Sequence, residues 1–142
     1  LAQVPAPRLV ALLLCNSVIE DIRTRNKSYI GVFNTIAVEK VPFQMPLLTI
    51  VVILTECRGT QEFVVEISYD SDEGQEKKPL QLVGRLDSVD PLGMVELVFE
   101  LRGFPIEKMG RYTIRVTSKD TGIVIGYRYF QVAPIVLKEN RQ

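Results

Sequence analysis

Apolar and polar residues alternate with a period of two in three stretches of the chain. In residues 62–69, Phe63, Val65, Ile67 and Tyr69 fall on one side, with Glu62, Glu66 and Ser68 on the other. In residues 95–102, Val95, Leu97, Phe99 and Leu101 oppose Glu96, Val98, Glu100 and Arg102. In residues 111–118, Tyr112, Ile114 and Val116 oppose Arg111, Thr113, Arg115 and Thr117. Successive side chains of a strand point to opposite faces, so each stretch predicts a strand with one buried and one wet face.

Six further runs are rich in Val, Ile, Leu, Phe, Tyr and Thr: residues 8–15, 18–22, 28–39, 47–56, 80–86 and 123–132. Gly, Pro, Asn or Asp punctuates them. Short strands so punctuated predict an all-β fold. The expected architecture is an immunoglobulin-like antiparallel β-sandwich of eight or nine short strands. Gly31, inside one run, predicts a bulge or a close backbone approach. Residues 41–46 carry Pro42 and Pro46, cannot form a central strand, and are expected to cross between sheets. Residues 103–110, with Pro105, read as a corner, and Lys119-Asp120-Thr121-Gly122 as a hairpin turn. The domain plan is an extended arm (1–7), one sandwich domain (8–133) and a tail (134–142).

Tyr112 follows the turn at Gly110 and opens an alternating strand. This arrangement resembles the penultimate strand of immunoglobulin-like sandwiches, where a corner tyrosine turns its hydroxyl back onto upstream backbone. The resemblance implies a structural role for Tyr112.

Composition narrows the function classes. A chain of 142 residues suits one domain with one core and needs no metal or disulfide to fold. Seventeen basic residues balance seventeen acidic ones, which argues against nucleic acid as the main ligand. Arg23, Arg25 and Lys27 are the nearest approach to a basic patch and read as a polar turn. The chain has no histidine, so Ser-His-Asp and Cys-His nucleophiles and histidine-containing zinc sites are out of reach. No apolar run approaches the ~20 residues that span a bilayer. No cofactor is expected, and the default location is cytoplasmic.

The remaining candidates for chemistry have structural readings. Cys15 and Cys57 each end an apolar run and are expected as buried free thiols, a bridge between them being the alternative. Cys15 lacks a neighbour that would lower its pKa. Glu20 and Asp21 are adjacent, so a strand would point them to opposite faces; Asp21 is expected to shape a turn. The loop over residues 70–76 partly imitates a calcium-binding loop. However, Gly74 comes one position early and the third ligand and bidentate glutamate are missing, so calcium is not expected.

Two strands carry more apolar surface than one buried face uses. In residues 47–54, Leu48, Ile50, Val52 and Leu54 share one face and Leu47, Val51 and Ile53 the other. In the last strand, if Phe130 and Val132 face the core, then Ile125, Tyr127 and Tyr129 face out. Exposed aliphatic and aromatic stripes mark interaction sites. These six residues are the candidate interface; the alternative is that a bulge or the N-terminal arm covers a stripe. The function expected is a non-catalytic protein-interaction or structural module, as a homo-oligomer or an accessory subunit of a larger complex. The alternative is a small-ligand or carbohydrate-binding sandwich that uses the end loops at 70–78 and 103–110.

A wider resemblance spans residues 8–132. Leu14-Cys15-Asn16-Ser17-Val18-Ile19-Glu20-Asp21, a basic turn and Gly31-Val32-Phe33-Asn34-Thr35-Ile36 resemble the opening of an uncharacterised bacterial family of small all-β proteins. Pro46-Leu47-Leu48-Thr49, Asp90-Pro91 and Gly110-Arg111-Tyr112 are similar to its later segments. The resemblance implies the fold, places Cys15 and Glu20-Asp21 in a family motif, and leaves the function open.

Overall fold

The computed structural model describes residues 6–70 and 80–136, and every regular element among them is a strand. The ten strands are β1 (Arg8–Cys15), β2 (Ser17–Glu20), β3 (Lys27–Ile30), β4 (Thr35–Val38), β5 (Phe43–Thr55), β6 (Gly59–Tyr69), β7 (Leu80–Ser88), β8 (Met94–Ile106), β9 (Gly110–Ser118) and β10 (Val124–Pro134). They form a three-stranded sheet in the order β1-β5-β8, a five-stranded sheet in the order β4-β10-β9-β6-β7, and a separate β2-β3 hairpin. Pairing is antiparallel except between β4 and β10. No helix among the described residues is long and apolar enough to cross a membrane.

The two larger sheets form a sandwich whose core draws on both inner faces. The first sheet contributes Leu12, Leu14, Leu48, Ile50, Val52 and Leu54; the second contributes Phe63, Val65, Ile114, Val116, Phe130 and Val132. The period-two pattern is thus the imprint of this single interface. Its sides close through two glycines. A Cβ at Gly84 on β7 would lie 2.7 Å from Phe99 Cζ on β8, and one at Gly126 on β10 would lie 2.4 Å from Leu9 Cδ2 on β1. Arg128 Nη1 also donates to the Leu12 carbonyl at 2.8 Å, and Nη2 donates to Asn34 Oδ1. The guanidinium thereby fills a hydrogen-bonding position on the open edge of β1.

Four sequence expectations change. The run 28–39 breaks at Gly31 into β3 and β4, which adds a strand. Gly31 has φ +68°, and a Cβ there would meet Asn16 Nδ2 at 2.3 Å, so it marks a close approach within a strand break. Residues 43–46 belong to β5 although Pro46 has no N–H. They can, because β1 pairs only with residues 49–55 of β5, so Pro46 sits where β5 has β8 as its sole partner. The expected corner at 103–110 is mostly strand, since β8 continues through Pro105 to Ile106. At the C-terminus the tail starts later, because Ile135 still donates its N–H to the Val38 carbonyl at 3.0 Å.

Candidate functional site

The outer faces of the two large sheets hold five of the six candidate interface residues, and the two faces differ. On the three-stranded sheet, β1 contributes Leu13 and Cys15, β5 contributes Leu47, Thr49, Val51 and Ile53, and β8 contributes Glu96, Val98 and Glu100, as the pairings Leu13↔Val51↔Val98 and Cys15↔Thr49↔Glu100 show. Val51 is 0% exposed, and so are Cys15 and Thr49, yet none of the three belongs to the core cluster. The β2-β3 hairpin covers them. It leaves β1 at Asn16, whose N–H donates to the Ile30 carbonyl at 2.9 Å, and Phe33 N–H closes the base on the Leu14 carbonyl at 2.9 Å. Near its far end the Tyr29 hydroxyl and Lys27 Nζ both donate to Glu96, the lysine at 2.7 Å. Thr49 Oγ1 donates to the Asn16 carbonyl at 3.0 Å.

Val51 is therefore withdrawn as an interface residue: the covering element is this hairpin, neither a bulge nor the N-terminal arm. Leu47 and Ile53, at either end of the stripe, are half-buried. The cover also sets the local chemistry. Burial and then the Glu96 carboxylate push the Cys15 thiol pKa up. Burial, the hydrogen bond to Glu96 and its charge push Tyr29 up to about 12. Cys57, inside the core, is pushed up by burial alone. Both thiols are free. A raised pKa leaves little thiolate, the form that attacks.

The five-stranded sheet leaves its outer face open. Tyr127 is 59% and Tyr129 44% exposed, while Phe130 and Val132 face the core at 2% each. Ile125 does not join the tyrosines. A register shift between Val124 and Gly126 displaces it, and it packs half-buried against the core. The two tyrosine rings meet edge to face with centroids 5.6 Å apart. The Arg111 guanidinium lies 4.2 Å from the Tyr129 ring centroid, and its Nε donates to Asp70 Oδ2 at 2.7 Å. Ring and carboxylate together fix this arginine in one pose. Thr113 Oγ1 donates to Asp70 Oδ1 at 2.6 Å.

Across this face the pairings make one row of Tyr127, Arg115, Glu66 and Gln81 on β10, β9, β6 and β7. Gln81 Nε2 donates to Glu66 Oε1 at 3.2 Å. Beside the row, Val83 on β7 is 57% exposed. A strand carrying Arg111 and Arg115 thus lies next to a strand carrying Glu62 and Glu66.

The Tyr112 hydroxyl donates to the Lys108 carbonyl at 2.6 Å, and Tyr69, edge-on to it, donates to Met109 at 2.9 Å. Both hydroxyls near the 107–109 turn are thus engaged with backbone. Asp21 Oδ1 accepts the N–H groups of Arg23 at 2.8 Å and Thr24 at 3.1 Å, a turn-shaping role. Among the described residues no group of three or more His, Cys, Asp or Glu could hold a metal ion. Apart from Asp70, the calcium reading of residues 70–76 and the end-loop reading of 70–78 lie outside the described residues. The cluster of Glu96, Tyr29 and Lys27 was missed by sequence reasoning. Glu96 lies 67 positions from Tyr29 and 69 from Lys27, and no local pattern signals the cluster.

One solved structure similar to the chain is a β-glucosidase from Listeria innocua in complex with isofagomine, at 11% identity and a TM-score of 0.48. The similarity covers 89% of this chain and 16% of that protein, so the chain spans about a sixth of its length. No curated protein matches the chain in sequence. Residues 10–124 match the sequence profile of a family of unknown function, DUF6941, and the chain belongs to that family.

Proposed function

We propose that the chain is a non-catalytic interaction module that pairs with a second copy of itself through the outer face of the five-stranded sheet. The observation that carries this reading is the open pair Tyr127–Tyr129 on a face where a basic strand runs beside an acidic one. Tyrosine and arginine are the residue types that anchor protein interfaces. A two-fold axis running along the strands, between β9 and β6, lays β9 of one copy over β6 of the other. Arg115 then meets the second copy's Glu66 on the same row, and Tyr127 meets its Gln81 and Val83. Each contact occurs twice, as a symmetric pair requires.

The immunoglobulin-like reading of the sandwich is part of this proposal. It is supported by the five-strand order with β9 at its centre and by the Tyr112 hydroxyl turned onto Lys108 at the start of β9.

Light scattering tests the function. The native chain is expected as a dimer, and Tyr127→Ala with Tyr129→Ala as a folded monomer. A native chain that stays monomeric at high micromolar concentration contradicts the reading.

A further inference from the structure

We propose that the β2-β3 hairpin is a hinged flap that opens as a unit, with the sandwich intact, and uncovers Cys15, Thr49 and Val51. The hairpin belongs to neither sheet. Its four-residue strands bury little: only Ser17, Val18 and Tyr29 are half-buried, and the other five residues are exposed. A lone two-stranded hairpin with so little burial sits at the low-stability end of a protein's local openings.

The hairpin is nevertheless built to keep its own shape. At its tip Asp21 N–H donates to the Asn26 carbonyl at 2.8 Å and Arg25 N–H returns to the Asp21 carbonyl at 2.8 Å, with Arg25 in the left-handed region at φ 63°. The Asp21 carboxylate adds its two bonds to Arg23 and Thr24. These contacts lie wholly within the hairpin and survive opening.

Two attachments fix the closed position. At the base, Gly31 and Asn16 form the hinge, where the left-handed glycine packs against the asparagine side chain. At the far end the Glu96 carboxylate is the latch, taking the Tyr29 hydroxyl and the Lys27 ammonium together. Opening thus breaks the Glu96 cluster and the Thr49 hydroxyl's bond to the Asn16 carbonyl and lifts a small apolar contact, while every ladder of the two large sheets stays paired. The flap lies on the opposite sheet from Tyr127 and Tyr129, so it is independent of the pairing proposed above.

Thiol reactivity with a disulfide reagent reads the opening. The Cys15 thiol loses its proton to solvent, its thiolate forms a new S–S bond with one reagent sulfur, and the other half leaves as a coloured thiolate. Cys57, buried in the core between the two large sheets, reports opening of the sandwich in the same molecule. Each rate is divided by that of the same thiol in the denatured chain. Cys15 is expected to react well ahead of Cys57. Tyr29→Phe, which removes one latch donor and leaves the Glu96 charge in place, is expected to speed Cys15 by about tenfold, the scale of a lost hydrogen bond to a charged group, and to leave Cys57 unchanged. A common rate for both thiols in the native chain, or an equal acceleration of both by Tyr29→Phe, would show that Cys15 is reached only through global unfolding and would overturn the proposal.

Discussion

The Tyr112 hydroxyl donates to the Lys108 carbonyl at 2.6 Å, while its ring stacks on Phe130 at 5.0 Å between centroids. The bond closes the turn that carries the chain from β8 into β9, and the stack ties that turn to the core. Tyr112→Phe keeps the ring and removes the donor, leaving a carbonyl without its partner. The expected loss is about 1–2 kcal/mol in denaturant unfolding with an unchanged slope. A loss within experimental error would show that the hydroxyl contributes nothing to the corner.

Ser118 presents the opposite case. Its hydroxyl is buried at the end of β9 with no hydrogen-bond partner among the described residues. Removing an unsatisfied buried polar group relieves a desolvation cost of roughly 1 kcal/mol or more. Ser118→Ala is therefore expected to unfold at an equal or higher denaturant midpoint than the native chain; a clear drop would show that the hydroxyl has a partner, such as a bound water.

Tyr29 makes the flap visible at alkaline pH. Its pKa stands at about 12 against an ordinary 10, so between these values the closed flap keeps a proton that an exposed tyrosine releases. The stabilisation of the closed flap is complete below pH 10 and is lost as pH rises towards 12. A tyrosinate absorbance titration, taken as the native chain minus Tyr29→Phe, is expected to show a midpoint near 12. A midpoint near 10 would place the hydroxyl in water, away from Glu96.

Much of the fold was legible because one physical fact writes it into the chain. Where a strand buries a single face, polarity alternates, and the inward sets Phe63–Val65–Ile67 and Tyr112–Ile114–Val116 follow directly from that alternation. The candidate site was legible in part. Tyr127 and Tyr129 could be placed outward from Phe130 and Val132 by parity. Ile125 could not, because a register shift breaks the parity and leaves no mark in a run of apolar residues. Val51 looked like an exposed residue because covering it requires knowing where the hairpin folds. That placement depends on Glu96, far away in sequence and indistinguishable by pattern from Glu100, its neighbour on the same face.

Gly84 is another feature hidden from the pattern. The tip of Phe99 occupies the space of the glycine's absent side chain. A rigid ring cannot yield as a flexible chain end would, so Gly84→Ala is expected to overpack the sandwich and cost roughly 1–3 kcal/mol. Gly84→Ala with Phe99→Leu makes room for the methyl group, and the two changes together are expected to cost less than their separate costs added. Strict additivity in the denaturation midpoints would refute the contact.

The pairing of two copies through the five-stranded face is tested most directly by exchanging charges across it. Arg115→Glu and Glu66→Arg each set like charges against one another at the proposed two-fold, and the double variant restores opposite ones. The native chain and the double variant are expected to scatter light at twice the 16.1 kDa chain mass, and each single variant at the mass of one chain. Dimers that persist through both single exchanges, or a native chain that is monomeric throughout, would contradict the account.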